Sequence, residues 1–170
     1  VADDFVLASG ASTVGGVEWV GGYVAPDDGN DPGAYGLRDR FTIVIFFDDE
    51  GVPGGVVARY EAGHASRTPA GDGVWSYRYD FPAPLPLRPD TPYHLAIFNR
   101  VPGTGYWCWA ITGAPGRSHS SAINPVQWYE WPQDCAFRLL KAEASPRDRR
   151  ALPLVVGCVL GVLALRRYVL

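Results

Sequence analysis

Five aromatic residues have the type and spacing best suited to ligand chemistry: Trp107, Trp109, Trp128, Tyr129 and Trp131. Flat, exposed π faces are surfaces on which the apolar face of a sugar ring can stack, so a polysaccharide is the ligand class they suggest. Asp27, Asp28, Asn30 and Asp31 concentrate oxygens of the kind Ca2+ takes. Their spacing is not that of an EF-hand, and no Glu closes the loop, so a solvated turn is the first expectation and no cofactor is expected. The Asp48-Asp49-Glu50 run reads as a hairpin turn for the same reason. His64, His94 and His119 are scattered, and no paired His or Cys spacing suggests zinc. Ser118-His119-Ser120-Ser121 lacks the glycine-flanked elbow of a serine hydrolase. Glu18, Glu61 and Glu130 are the carboxylates from which a glycosidase pair would have to be drawn, and sequence alone does not bring any two of them together. A non-enzymatic protein is therefore expected, with an enzyme of unknown class as the remotest alternative. Two cysteines, Cys108 and Cys135, precede the apolar tail and permit one disulfide; Cys158 lies within that tail.

The elements that must position these residues read as strands. Residues 3–7 form a first short one, and residues 13–24 follow with Val17, Trp19 and Tyr23 on one alternating face. Residues 25–39 are a loop. Residues 40–47 are apolar on both faces, as in a central strand covered on both sides. Asp48 to Gly54 is a Gly/Pro turn, and residues 55–62 return antiparallel. After a polar loop over residues 63–73, residues 74–81 alternate: Trp75, Tyr77, Tyr79 and Phe81 face one way, and Ser76, Arg78 and Asp80 the other. Residues 82–92 are Pro-rich and extended, with Leu85 and Leu87 on a short edge. Residues 93–99, 105–112 and 135–140 complete the set, the last two separated by a long irregular loop over residues 113–132. In residues 135–140 the Cys135, Phe137 and Leu139 positions share a core face. The fold class expected is all-β: an antiparallel β-sandwich of jelly-roll type with eight or nine strands, spanning residues 1–140. Gly 20, Pro 15 and 13% aromatic residues suit short strands joined by tight turns.

Residues 141–150 form a polar spacer, and residues 151–165 carry no charge. A single C-terminal apolar helix over residues 151–170 is expected to be the membrane anchor. Leu152, Leu154, Val155, Val156, Val159, Leu160, Val162, Leu163 and Leu165 supply its apolar surface, and Arg166 and Arg167 its end. Twenty helical residues reach about 30 Å, the thickness of a hydrocarbon core. Flanking charge does not orient the helix, because three arginines and one Asp precede the run and two arginines follow it. The net charge of −3 includes the two tail arginines, so residues 1–150 carry −5. That acidity argues against nucleic acid as the partner. No signal peptide is visible within these residues.

Several short motifs in order carry a resemblance. They are Asp3-Asp4-Phe5, Trp19 with Gly22-Tyr23, Arg40-Phe41-Thr42-Ile43, and Asp48 with Gly51, Pro53 and Gly54. Thr91, Tyr93, Leu95 and Ile97 follow, then Trp107 with Trp109, and Ala136-Phe137-Arg138-Leu139. The chain resembles bacterial exported proteins with a choice-of-anchor-like β-sandwich and a C-terminal sorting signal of the PEP-CTERM type. Ser145-Pro146-Arg147 and Leu152-Pro153 stand where that family's Pro-Glu-Pro would. The resemblance implies export, with the sandwich outside the cytoplasmic membrane of a Gram-negative bacterium and Arg166-Arg167 inside. It also implies a place in the cell envelope or exopolysaccharide matrix, and an exosortase-type sorting protease as partner. Export favours a Cys108–Cys135 bridge, which would turn Trp107 and Trp109 outward as an exposed pair; without the bridge, both tryptophans are core and Cys108 faces out. A surface-displayed carbohydrate-binding module using the five aromatics is the alternative function.

Overall fold

The computed structural model describes residues 1–24, 39–71, 73–99, 106–121 and 128–142. The described chain is all-β, with antiparallel pairing throughout and no α-helix among the described residues. Eleven strands form: β1 (Ala2–Val6), β2 (Thr13–Val24), β3 (Phe41–Asp49), β4 (Val52–Gly63), β5 (Ser66–Gly71), β6 (Val74–Pro86), β7 (Pro92–Asn99), β8 (Tyr106–Trp109), β9 (Ile111–Ser121), β10 (Trp128–Cys135) and β11 (Phe137–Lys141). One sheet runs β10-β9-β1-β7-β3-β4; the other runs β11-β2-β6-β5, with β8 also paired to β2.

One apolar core joins the two sheets. Phe5, Phe41, Ile43, Ile45, Leu95 and Ile97 enter it from the first sheet, and Val14, Val17, Trp19, Tyr77, Phe81 and Leu139 from the second. Its centre is aromatic. Trp19 stacks on Tyr77 at 5.4 Å, and Phe41 meets both edge-on at 5.2 and 4.8 Å. Each such ring contributes roughly 1.5–3 kcal/mol of burial. The double-sided apolarity of β3 matches its burial: it is an inner strand between β7 and β4, and Thr42 and Val44 on its second face are as buried as Ile43 and Ile45 on its first. On β2, Val14 and Val17 both reach the core although three residues apart, because the register slips between Val14 and Gly16 and turns the strand over. The alternation of β6 is as its sequence suggests: Trp75, Tyr77, Tyr79 and Phe81 all meet the core.

The strand count exceeds the eight or nine expected, for three local reasons. β5 lies in the stretch expected to be a polar loop; all six of its residues are exposed, so it pairs with β6 without burying apolar side chains and shows no apolar alternation. Much of the loop expected over residues 113–132 is instead β9 and β10, a hairpin whose arms carry few β-branched apolar residues. The third reason is that the strand expected over residues 105–112 breaks at Ala110. Two arms bend there together. β8 and β9 are one run bent at Ala110; β10 and β11 are one run bent at Ala136. β9 and β10 pair in the first sheet, while β8 and β11 continue into the second and share one edge of β2. A closed ring of backbone bonds holds the bend: Ala110 N–H to Val20 O at 2.9 Å, Val20 N–H to Ala136 O at 3.0 Å, and Ala136 N–H to Ala110 O at 2.8 Å.

The anchor residues from Leu152 to Arg167, with most of the spacer, lie outside the described residues, as do Asp27, Asp28, Asn30 and Asp31. Among the described residues, no helix is long and apolar enough to cross a membrane.

Candidate functional site

The five aromatics divide by burial. Trp109 is 7% exposed and belongs to the core, its indole N–H donating to Ala136 O at 3.0 Å. Trp107 packs against the same core, edge-on to Phe41 at 5.2 Å. They are therefore not an exposed pair. The strand that carries them pairs with β2, which turns its odd-numbered side chains towards the Trp19 cluster and leaves Cys108 exposed. The Cys108–Cys135 bridge is likewise corrected: Cys135 is buried on β10 in the other sheet, and the two sulfurs are not joined. Phe137 and Leu139 share the core with Cys135, as their alternation suggests.

Trp128 is half-buried and meets Phe46 edge-on at 5.8 Å. β10 and β3 are separated by three strands in the sheet, so this contact lays the free end of the β9–β10 hairpin over the outer face of β3. Tyr129 and Trp131 alternate away from that contact and are 49% and 53% exposed. The Trp131 indole N–H donates to Gln133 Oε1 at 3.1 Å. Of the five aromatics, Tyr129 and Trp131 are the two left with open ring faces, and both stand on the outermost strand of the first sheet.

The fold also brings together residues that sequence spacing did not connect. Asp3 on β1 and Asp134 on β10 are 2% and 1% exposed, and their carboxylate oxygens and that of Asp4 lie within 4.8 Å of one another. Asp3 Oδ2 accepts the Cys135 N–H at 2.8 Å, and Oδ1 accepts the Asp4 N–H at 3.0 Å. Burial pushes the Asp3 carboxyl up to about 7, with the Asp134 and Asp4 charges adding to the rise and the two backbone N–H groups opposing it. Ca2+ gathers about six to eight oxygens, more than three carboxyl groups guarantee, and this trio, two of its members buried and Asp4 exposed, is not an evident cation cage. Asp3 and Asp134 lie too far apart in the chain for any local motif to reveal them.

A second polar knot closes the end of the core beneath residues 39 and 99. Tyr23 O–H donates to Asp39 Oδ1 at 2.6 Å, Asn99 Nδ2–H donates to the Tyr23 oxygen at 2.6 Å, and Arg67 pairs with Asp39 at 3.1 Å while lying 4.5 Å over the Trp75 ring. Burial, then the bond to Asp39, raises the Tyr23 hydroxyl far above its ordinary value. Every one of these partners is satisfied within the knot, which reads as a clasp holding β5 to the body. His94 is buried on β7, its Nε2 2.8 Å from Asp48 Oδ1, and ties the β3–β4 turn to the sheet. His64 is exposed.

The carboxylates weighed for glycoside hydrolysis are spread over the molecule. Glu18 sits on β2 between Arg78 and Arg138 on the outer face of the second sheet; Glu61 sits on β4 in the first, bonded to Thr42 and Arg59. Glu18 and Glu61 are thus held apart in opposite layers. An open groove of about 480 Å3 runs between the end of β6 and β11, lined by Arg78, Asp80, Phe81 and Pro82 on one side and Leu140 and Lys141 on the other. No protein-family model matches the chain, and no similar protein was found among curated sequences or among solved structures.

Proposed function

We propose that this chain is a non-enzymatic β-sandwich, wound in jelly-roll fashion, displayed on the outer side of a bacterial membrane and tethered there by residues 151–170. The observation that carries the reading is the order of segments. The last strand among the described residues is β11, ending at Lys141; in the sequence a charged spacer rich in arginine follows, and then come fifteen uncharged residues closed by Arg166-Arg167. An uncharged run of that kind, with Gly157 and Gly161 and no polar stripe, suits lipid better than the surface of a small sandwich. The resemblance to exported PEP-CTERM-type proteins supplies the direction and the place: domain outside, arginines inside, in the cell envelope or exopolysaccharide matrix of a Gram-negative bacterium. An exosortase-type protease would act between Ser145 and Leu152.

Mass spectrometry of the C-terminus from native membranes tests this. A mature end before Leu152 is the outcome expected of sorting, and an intact Leu170 in the membrane fraction that of a permanent tether. A full-length chain recovered entirely in the wash of unlysed, carbonate-treated membranes would overturn both.

A further inference from the structure

We propose that the outer face of β10 is a polysaccharide-binding strip, on which the Tyr129 and Trp131 rings stack successive sugars of one neutral glycan chain. This goes beyond the tether and does not depend on it.

Packing decides which way the rings face. Trp128 is drawn inward against Phe46, so alternation along β10 must turn Tyr129 and Trp131 to the other side. Tyr129 and Trp131 are each about half exposed and share one face of one strand, so they make a small aromatic patch rather than scattered single rings. The two residues are separated by roughly 7 Å along the strand, close enough for one extended glycan chain to touch both rings. The Trp131 ring is held in place by its bond to Gln133 Oε1, which lowers the entropy lost when a ligand settles on it. The Gln133 amide is also a donor for sugar hydroxyls.

The chemistry around the rings selects the occupant. Along β10 the strip is aromatic and amide in composition at Tyr129, Trp131 and Gln133, and the exposed Glu130 between the rings alternates to the other face. The acidic balance of residues 1–150 works against an anionic glycan. A protein partner would need an apolar patch of several hundred Å2 per side, and this strip is two strands wide with only two large rings. An uncharged pyranose chain, apolar on its C–H faces and polar at its edges, fits both the rings and the groups beside them.

Native affinity electrophoresis of the full chain, kept soluble in a polyoxyethylene detergent that carries no sugar headgroup, tests the strip. Hydroxyethyl cellulose, glucomannan and glycogen are the neutral probes, and alginate the anionic one. At least one neutral probe should retard the protein, and alginate should not. Tyr129→Ala and Trp131→Ala should each weaken retardation by about tenfold. Trp131→Phe, which keeps a ring, should retain most of it. Both alanine changes are at exposed positions, so the fold is expected to survive them, and an unchanged near-ultraviolet circular dichroism spectrum confirms that. The proposal is overturned if no neutral probe retards the protein, if retardation survives either alanine change, if Trp131→Phe abolishes it, or if alginate retards as strongly. Self-association that Trp131→Ala removes, with no glycan effect, would make the strip a protein contact and sink the glycan reading. None of these outcomes depends on where the mature C-terminus lies.

Discussion

At the scale of single residues, the buried Asp3 carboxyl is a group whose ionisation bears directly on stability. Its folded value of about 7 stands above the 3.8 of an ordinary Asp. A raised value means the folded state holds the proton more tightly than the unfolded chain. The contribution of Asp3 to stability is therefore fully present below pH 4 and is lost as pH rises from about 4 to about 7. Asp3→Asn removes the charge and keeps one oxygen, enough for the Cys135 N–H, while its amide nitrogen replaces the oxygen that accepts the Asp4 N–H. The lost acceptor should cost about 1 kcal/mol at pH 4, and relative to that the variant should gain on the order of 3 kcal/mol at pH 8. Urea unfolding across that range measures it, and parallel curves for the two proteins would refute the assignment. Gly21 is constrained by space instead of charge: a Cβ there would run into the Trp107 ring and the Cys108 carbonyl. Gly21→Ala should cost roughly 1–3 kcal/mol through overpacking, read as a lowered melting temperature. Gly10→Ala is not an equivalent control, because its φ of 88° already disfavours a side chain; Gly55, with only a distant Phe47 carbon near it, is the better one.

At the scale of elements, two devices set the strand arrangement. The β3–β4 hairpin turns at Glu50 and Gly51, with φ of 54° and 89°, between the paired residues Asp49 and Val52. That is the backbone of a two-residue turn preferring Asn-Gly. Glu50 carries a left-handed conformation at a cost that Asn bears more easily. Glu50→Asn should raise stability by about 0.5–1 kcal/mol, seen as a higher denaturation midpoint with an unchanged slope. The second device is the ring of bonds among Val20, Ala110 and Ala136. Ala136→Pro removes the donor to Ala110 O and should cost roughly 3 kcal/mol or more, whereas Ala136→Gly should cost about 1 kcal/mol or less. Equal effects of the two would show that the ring does not hold the bend. β5, β9 and the bend at Ala110 escape a reading of periodicity because their residues contribute pairing and position rather than apolar surface. β3 and β6 are legible because their side chains do the burying.

At the scale of the whole molecule, the two ends of the chain's logic separate. The all-β class, the central place of β3, the core face of β6 and the turn at Gly51 follow from local alternation and from residues that tolerate only some backbone angles, and these are properties of neighbours in sequence. The acidic balance and the apolar tail are likewise matters of composition. Which of five aromatics stay exposed is not, because Trp107 and Tyr129 are the same kind of residue until β8 is laid against β2 and β10 is placed at a sheet edge. The Asp3–Asp134 pair, the separation of Cys108 from Cys135 and the turning of Trp128 onto Phe46 depend on contacts between distant segments of chain. Alternation reports that a strand has two faces; only the packing of two sheets, which fills one face and leaves the other to solvent, decides which face is which.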